Sequence, residues 1–371
     1  MHQVERAIFD LRRGLPVVIL DDASGHQPIT LVYPLESVAD PDLQALAEQS
    51  GSQPALTLTR HRMAAMGHPI STSAASLPLS GRLLLSSDEI YRAATGESIQ
   101  SDLYADPRPA SPGERAALAL MRRALLVPAA VTASIEPGQR SDIARAIERG
   151  ELLAVQARAA EQCFELGGGL LRRISEAEVP LANAPNSRFV LFREPDGLRE
   201  HIAVMIGDTD HWPDAVPVRL HSACLTGDLF DSLRCDCGEQ LRTSIASIEA
   251  MGGGVLLYLA QEGRGIGLAN KLRAYALQDQ GMDTVEADQA LGFGEDERRY
   301  GVAVDMLRSL DIGRIHLLTN NPLKVDALSA GGIDVVDQDR VFGSVTRQNR
   351  RYLNAKASRS GHLLQELLGE P

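Results

Sequence analysis

The chain has 371 residues, 44% of them hydrophobic and 23% charged, which is too long for one average domain and supplies apolar material for two cores. Its net charge of −12 argues against a nucleic-acid or anionic-membrane partner, so a polyphosphate ligand would need a local basic pocket within an acidic whole. No apolar run approaches the roughly 18 residues of a membrane span. The N-terminal stretch MHQVERAIFDLRRG lacks the apolar centre of a signal peptide. Four cysteines, three of them clustered, read as thiolates of a reducing compartment, so a cytoplasmic location is expected.

In chain order, Val4, Ile8 and Leu11 share one helical stripe, Gly14 and Pro16 close that helix, and VVIL (17–20) reads as a buried strand. ADPRPASP (105–112) reads as a surface loop with two proline turns. Residues 139–172 read as helical in pieces up to the triple glycine at 167–169, with Cys163 a buried or neutral thiol. VPLANAPNSR (179–188) is the best linker candidate, and strands FVLFRE (189–194) and HIAVMIG (201–207) follow around a PDG turn. LRTSIASIEAMGGG predicts a helix stopped by glycines, VLLYLAQ (255–261) a buried strand, and LANKLRAYALQ a helix with Leu268, Leu272 and Ala276 on one stripe. IHLLT (315–319) and IDVV (333–336) frame a helix running from Asn321-Pro322 to Gly331-Gly332, and LLQELL in the polar tail predicts one short helix. Strands alternating with helices imply an α/β domain whose sheet is at least partly parallel.

The densest chemistry lies in RLHSACLTGDLFDSLRCDCGEQ, where Cys224, Cys235 and Cys237 form a C-x10-C-x-C pattern. Three thiols at this spacing are open to a metal site, a redox pair with a spare, or buried filler. Filler fits poorly with the polar residues Thr226, Asp228, Asp231, Arg234 and Asp236 between and beside them. A structural zinc site takes four protein ligands, for which His221 is available, whereas a catalytic one takes three and keeps a position open. Further on, Gly263, Gly265 and Gly267 lead from a strand into a helix, where backbone N–H groups can approach an anion. Arg264, Lys271 and Arg273 add charge there, although a solvated helix face accounts equally for the last two. Arg219, Arg298 and Lys324 complete the candidates for a basic pocket.

HSACLTGD followed by SLRCDCG resembles the zinc motif of the GTP cyclohydrolase II family, and QEGRGIGLANKLRAYALQDQG, DTVEADQALGF, DERRY and LLTNNPLKV resemble its other blocks in order. The resemblance covers about 173–361. It implies an enzyme that opens the imidazole ring of GTP hydrolytically, releasing carbon 8 as formate together with pyrophosphate and leaving a diaminopyrimidinone ribosyl phosphate. It implies one Zn2+ on Cys224, Cys235 and Cys237, Mg2+ with the GTP phosphates, Asp296 as proton acceptor at the start of a helix, and Arg298 acting at the α-phosphate. A guanidinium is a poor nucleophile, so an electrostatic clamp is the more conservative role for Arg298. GTP contacts are carried over to Arg219, Leu220, His221, Ser222, Ala223, Gln240, Glu262, Gly263, Arg264, Thr284, Thr319 and Lys324, with Glu262 and Gln240 as candidate readers of the guanine edge. A homodimer is the assembly the family suggests. Two positions depart from the family pattern: Ala223 stands where a glutamate is common, and Arg299 where an aspartate is common.

The opening RRGLPVVILDDASG, then ITLVYPLESV, resembles the 3,4-dihydroxy-2-butanone 4-phosphate synthase family. Its acidic metal-binding run is replaced here by Ala23, Ser24, Gly25, His26 and Gln27, and a second metal stretch by Ser111, Pro112, Gly113 and Glu114. Magnesium needs an octahedral set of oxygen ligands, which Asp21 and Asp22 alone do not supply. The expected architecture is therefore two domains: a degenerate synthase-like α+β domain (1–172) and a cyclohydrolase-like α/β domain (173–361) with a mixed, partly parallel sheet and a zinc site, then a tail (362–371). The rival readings are a guanine-nucleotide-binding paralog without turnover and a bifunctional enzyme with an active synthase.

Overall fold

The computed structural model describes residues 2–21, 28–79, 86–96, 107–165 and 171–343. The chain divides into two compact units, Met1–Leu166 with Ala269–Glu295, and Gly167–Leu268 with Asp296–Pro371. The chain thus leaves the second unit after Leu268 and rejoins it at Asp296.

The first unit is built on seven strands: β1 (Val17–Leu20), β2 (Ile29–Pro34), β3 (Ala55–Thr59), β4 (Ala74–Pro78), β5 (Arg108–Pro109), β6 (Ala129–Ser134) and β7 (Leu153–Gln156). Their order is β5-β4-β3-β6-β2-β1-β7, with β1 and β7 parallel and the other described pairs antiparallel. Val18, Leu31, Leu56, Leu58 and Val131 fill its core, and helix His2–Arg12 lays Val4, Ala7, Ile8 and Leu11 inward, the stripe its sequence predicts. Between helices Arg140–Glu148 and Ala157–Glu165 the chain forms β7 rather than more helix. Pairing with β1 overrides local preference there. Cys163 is half-buried.

Helix Leu268–Asp279 buries Asn270, Lys271, Ala274 and Leu277 and leaves Leu272 51% exposed. The predicted Leu268–Leu272–Ala276 stripe lies about 200° away from Asn270 and Ala274, since each residue advances about 100°. Polar side chains with partners inside the unit took the inner face. Asp22–Gln27 and the LLQELL tail lie outside the described residues.

The second unit holds β8 (Arg172–Glu178), β9 (Ser187–Arg193), β10 (Glu200–Ile206), β11 (Val216–Ser222), β12 (Gly254–Leu259), β13 (Arg314–Leu318) and β14 (Asp334–Asp339), in the order β14-β13-β11-β12-β10-β9-β8. β14, β13, β11 and β12 run parallel, and β10, β9 and β8 continue antiparallel, giving the mixed sheet. Residues 179–188 are no linker between domains. They turn β8 back into β9, with Val179 N–H donating to Ser187 O and a bridge between Leu181 and Ala184. Proline and small polar residues serve a hairpin as readily as a linker.

Helix Cys237–Ala250 carries the chain from β11 to β12 on one side, and the chain then returns to β13 on the other side of β11. Winding reverses at β11, so the carboxyl ends of β11, β12 and β13 open a crevice, the place where such sheets bind ligands. Beneath it Val218, Leu220, Leu257, Leu317, Met306 and Leu328 form a fully buried core.

Candidate active site

Cys224 lies two residues beyond β11 at the head of the short helix Leu225–Asp228, and Cys237 opens helix Cys237–Ala250. Their Sγ atoms and that of Cys235 lie within 4.8 Å of one another, and Cys224 and Cys235 approach to 3.6 Å. Gly227 makes room for the cluster. A Cβ on it would sit 2.5 Å from Cys235 Sγ and 3.2 Å from Cys224 Sγ. Three soft thiol donors around such a cradle fit a tetrahedral metal with one position left open.

His221, the candidate fourth ligand, turns elsewhere. Its Nε2 lies 3.1 Å from Asp228 Oδ1, and its ring stacks on Tyr258. Burial pushes the His221 pKa down, outweighing Asp228, so the ring is neutral and Nε2–H donates. Asp228 also accepts from the Cys224 N–H and the Tyr258 hydroxyl, both at 2.9 Å. This carboxylate therefore pins the first thiol's backbone. Neither Asp228 nor Tyr258 stood out in the sequence; the one signal was Asp228's place between the cysteines.

Within β11, Arg219 is buried and donates to Leu318 O at 2.8 Å and Gln240 Oε1 at 2.7 Å. Desolvation lowers its pKa to about 10, against the pull of Cys237 and Asp236, so the guanidinium remains charged at neutral pH. Gln240 in turn donates to Asp236 at 2.5 Å, which commits its amide at both ends. Lys324, in the first turn of helix Pro322–Ala330, donates to Leu220 O at 2.7 Å, and Asn321 caps that helix. Thr319 is buried beside the cap, its Oγ1 accepting from Asn321 N–H. Ser222 ends β11 with a buried hydroxyl that has no hydrogen-bond partner among the described residues, and Ala223 N–H is bonded to Leu259 O.

The loop after β12 bends through left-handed φ at Gly263 (62°), Arg264 (59°), Gly265 (97°) and Gly267 (88°). Glycine at 265 is required sterically, because a Cβ would meet Glu297 O at 2.7 Å. Glu262 accepts from Leu225 N–H at 2.6 Å, tying this loop to the cysteine segment. Gln261 and Arg299 exchange hydrogen bonds through the Gln261 amide and the Arg299 backbone, so Arg299 is placed by its main chain. Asp296 does not begin a helix; it lies in an irregular stretch ahead of helix Gly301–Ser309. Its carboxylate is gripped by Arg298, with Nε at 2.8 Å and Nη2 at 2.5 Å. Burial pushes the Asp296 pKa up, but the Arg298 hydrogen bonds and charge outweigh it and hold it below the usual carboxylate range. Arg298 and Lys324 both lie over the Tyr300 ring, at 5.6 and 5.9 Å.

The second unit therefore gathers Arg219 to Cys224, Cys235, Cys237, Gln240, Glu262 to Arg264, Asp296, Arg298, Thr319 and Lys324. Thr284 belongs to the first unit, where it opens helix Thr284–Ala290 behind an Asp283 cap. Arg273 belongs there too and pairs with Glu36 at 2.9 Å. That pairing replaces both the phosphate-site and the solvated-face readings.

Fold and site define a class first: an α/β enzyme with a three-thiol centre and buried cations at the strand ends of a doubly wound sheet. Residues 172–340 match the family model for GTP cyclohydrolase II. The chain is 43% identical over 371 residues to GTP cyclohydrolase-2 of Azospirillum brasilense, covering 98% of this chain and 94% of that protein. It is 42% identical over 365 residues to that of Xylella fastidiosa (strain Temecula1), covering 96% and 86%. The protein belongs to the GTP cyclohydrolase II family. A shorter relative, GTP cyclohydrolase-2 of Haemophilus influenzae (strain PittGG), is 46% identical over 190 residues, half of this chain and 88% of that one. Among solved structures, the chain is similar to a two-domain 3,4-dihydroxy-2-butanone 4-phosphate synthase from A. baumannii, with a TM-score of 0.36, 18% identity, and coverage of 92% and 99%.

Proposed function

We propose that the chain opens the imidazole ring of GTP, releasing formate and pyrophosphate and leaving 2,5-diamino-6-ribosylamino-4(3H)-pyrimidinone 5′-phosphate, the first step of riboflavin biosynthesis. The observation that carries this reading is the strand-end crevice of the second unit, the unit in which three thiols share a Gly227 cradle and which also holds Arg219, Lys324 and the Asp296–Arg298 pair.

Cys224, Cys235 and Cys237 would hold zinc, which when bound supplies a Lewis acid for water attack at carbon 8. The protein's own groups do the rest. Arg219 and Lys324 keep a buried positive field where a triphosphate's charge needs compensation. Glu262, whose carboxylate accepts from Leu225 and Gly263 N–H, is the proposed acceptor for guanine N–H groups. Gln240, held by Arg219 and Asp236, acts by fixing Arg219. An arriving phosphate competes for the Arg298 guanidinium. As that fork loosens, the Asp296 pKa climbs back toward its ordinary range and the carboxylate becomes a competent proton acceptor. Magnesium is proposed to enter with the triphosphate, and a cytoplasmic homodimer is the proposed assembly, to be checked by light scattering.

The first unit is proposed to be silent as a synthase. Glu114, the one carboxylate in its second metal stretch, accepts from Arg108 at 2.8 and 2.6 Å, from Ser111 N–H at 2.7 Å and from Thr132 Oγ1 at 3.2 Å. Four donors already fill its coordination.

Incubation of purified protein with GTP, following formate, pyrophosphate and pyrimidinone absorbance together, tests the reading. Nucleotide binding without formate would replace it with the non-catalytic paralog. Synthase product from ribulose 5-phosphate and magnesium would overturn the silent first unit.

A further inference from the structure

Tyr300 stands at the N-cap of helix Gly301–Ser309, in the second unit, and belongs to the core cluster of Leu220, Leu257 and Met306. It is 8% exposed, and its hydroxyl is buried with no hydrogen-bond partner among the described residues. A buried donor without an acceptor is costly, so most such groups in folded proteins have a partner.

The surroundings say what kind of partner fits. The Arg298 guanidinium lies 5.6 Å from the Tyr300 ring centroid and the Lys324 ammonium 5.9 Å, both within cation–π range. They come from separate parts of the chain, Arg298 from the stretch before the helix and Lys324 from the first turn of helix Pro322–Ala330. The charge of Arg264, in the turn after β12, acts on the phenol as well. None of these three side chains can accept a hydrogen bond. Asp296 is a neighbouring acceptor, but Arg298 occupies both its oxygens, at 2.8 and 2.5 Å.

Burial raises the Tyr300 pKa well above the ordinary phenol range, and the nearby arginines pull it down without reversing the shift. The hydroxyl therefore keeps its proton at neutral pH and serves as a donor. An O–H set among three cations, with the nearby carboxylate already engaged, calls for an anionic oxygen.

We propose that the Tyr300 hydroxyl is a phosphate-binding group, donating to a non-bridging oxygen of the substrate's phosphate chain beside Arg298, Lys324 and Arg264. The identity of the substrate rests on the function proposed above; the anion site rests on the contacts just described. The ring and the hydroxyl then have separate tasks. The ring lies under two of the cations, and the hydroxyl adds a directional bond without adding charge.

The test compares Tyr300→Phe with wild type, both full length. The substitution keeps the ring near Arg298 and Lys324 and removes only the hydroxyl. Binding of inorganic pyrophosphate is measured by titration calorimetry, beside the denaturant midpoint of the ligand-free protein. The dissociation constant should rise roughly tenfold or more, as expected for one hydrogen bond to a charged group. The ligand-free midpoint should hold or rise, because the variant no longer buries an unsatisfied donor. A lower midpoint would show that the hydroxyl already has a partner in the free protein and would overturn the proposal. Equal affinity in the two proteins, or no pyrophosphate binding to wild type, would overturn it too. If wild type binds pyrophosphate through Tyr300 yet releases no formate from GTP, the reaction assignment falls and the anion site stands.

Discussion

Arg298 holds Asp296 three ways: Nε and Nη2 donate to its two carboxylate oxygens at 2.8 and 2.5 Å, and the Arg298 backbone N–H adds a bond to Oδ1 at 3.0 Å. The candidate base and the candidate phosphate clamp are therefore each other's counterion in the free protein.

This has a kinetic consequence. The acid limb of kcat/KM reports the free enzyme and the limb of kcat reports the substrate complex. With Asp296 held below its ordinary pKa by Arg298, the kcat/KM limb should fall at lower pH than the kcat limb. Asp296→Asn should abolish the limb while GTP still binds. Coincident limbs in the wild type would show that the pair stays closed through turnover.

Arg298→Ala should cost roughly 2–4 kcal/mol at the phosphoryl step, if the arginine acts as an electrostatic clamp. Arg298→Lys should recover part of that loss, because a point charge replaces part of a fork. Formate and pyrophosphate measured separately show whether the two steps are coupled. Wild-type release of both by Arg298→Ala would remove the residue from the mechanism.

Gly227→Ala deletes no thiol, yet its Cβ would intrude to 2.5 Å from Cys235 Sγ. Metal affinity, followed by competition with a chromophoric chelator, should fall at least about tenfold. Cys235→Ser should lose metal and ring opening together. Full zinc occupancy in both variants would place the metal elsewhere.

Asp228→Asn tests a group acting through its neighbours. The amide oxygen can replace only part of the carboxylate's bonds to Cys224 N–H, Tyr258 and His221. Zinc affinity should drop by about 10-fold or more with all three thiols in place. Tyr258→Phe, which removes one of those bonds, should fall between wild type and Asp228→Asn.

Glu114→Gln should destabilise the first unit by about 2 kcal/mol, seen as a lower denaturant midpoint. Burial pushes the Glu114 pKa up, but Arg108 and Ser111 outweigh it, so its folded pKa lies below the ordinary glutamate value. Its stabilisation is therefore complete above that ordinary value and lost as pH falls through the folded pKa. The stability gap between wild type and variant should narrow on acidification; a gap independent of pH would mean that the carboxylate's charge is not what stabilises.

Local pattern alone was enough for the elements that obey it: the Val4–Ile8–Leu11 stripe, the strand before the glycine-rich turn and the helix from Asn321-Pro322. These follow from periodicity, capping and spacing, which neighbours along the chain decide. Tertiary structure decided what depends on distant partners. It turned the 179–188 stretch into a hairpin, gave 153–156 to a sheet and chose the Asn270–Ala274 face of its helix over the leucines. It sent Arg273 to Glu36 and Thr284 to the first unit, and it bound Asp296 to Arg298. A charged side chain's role is set by which counterion its environment brings within a few ångströms and how much water remains around the pair, and neither quantity is written in the order of residues.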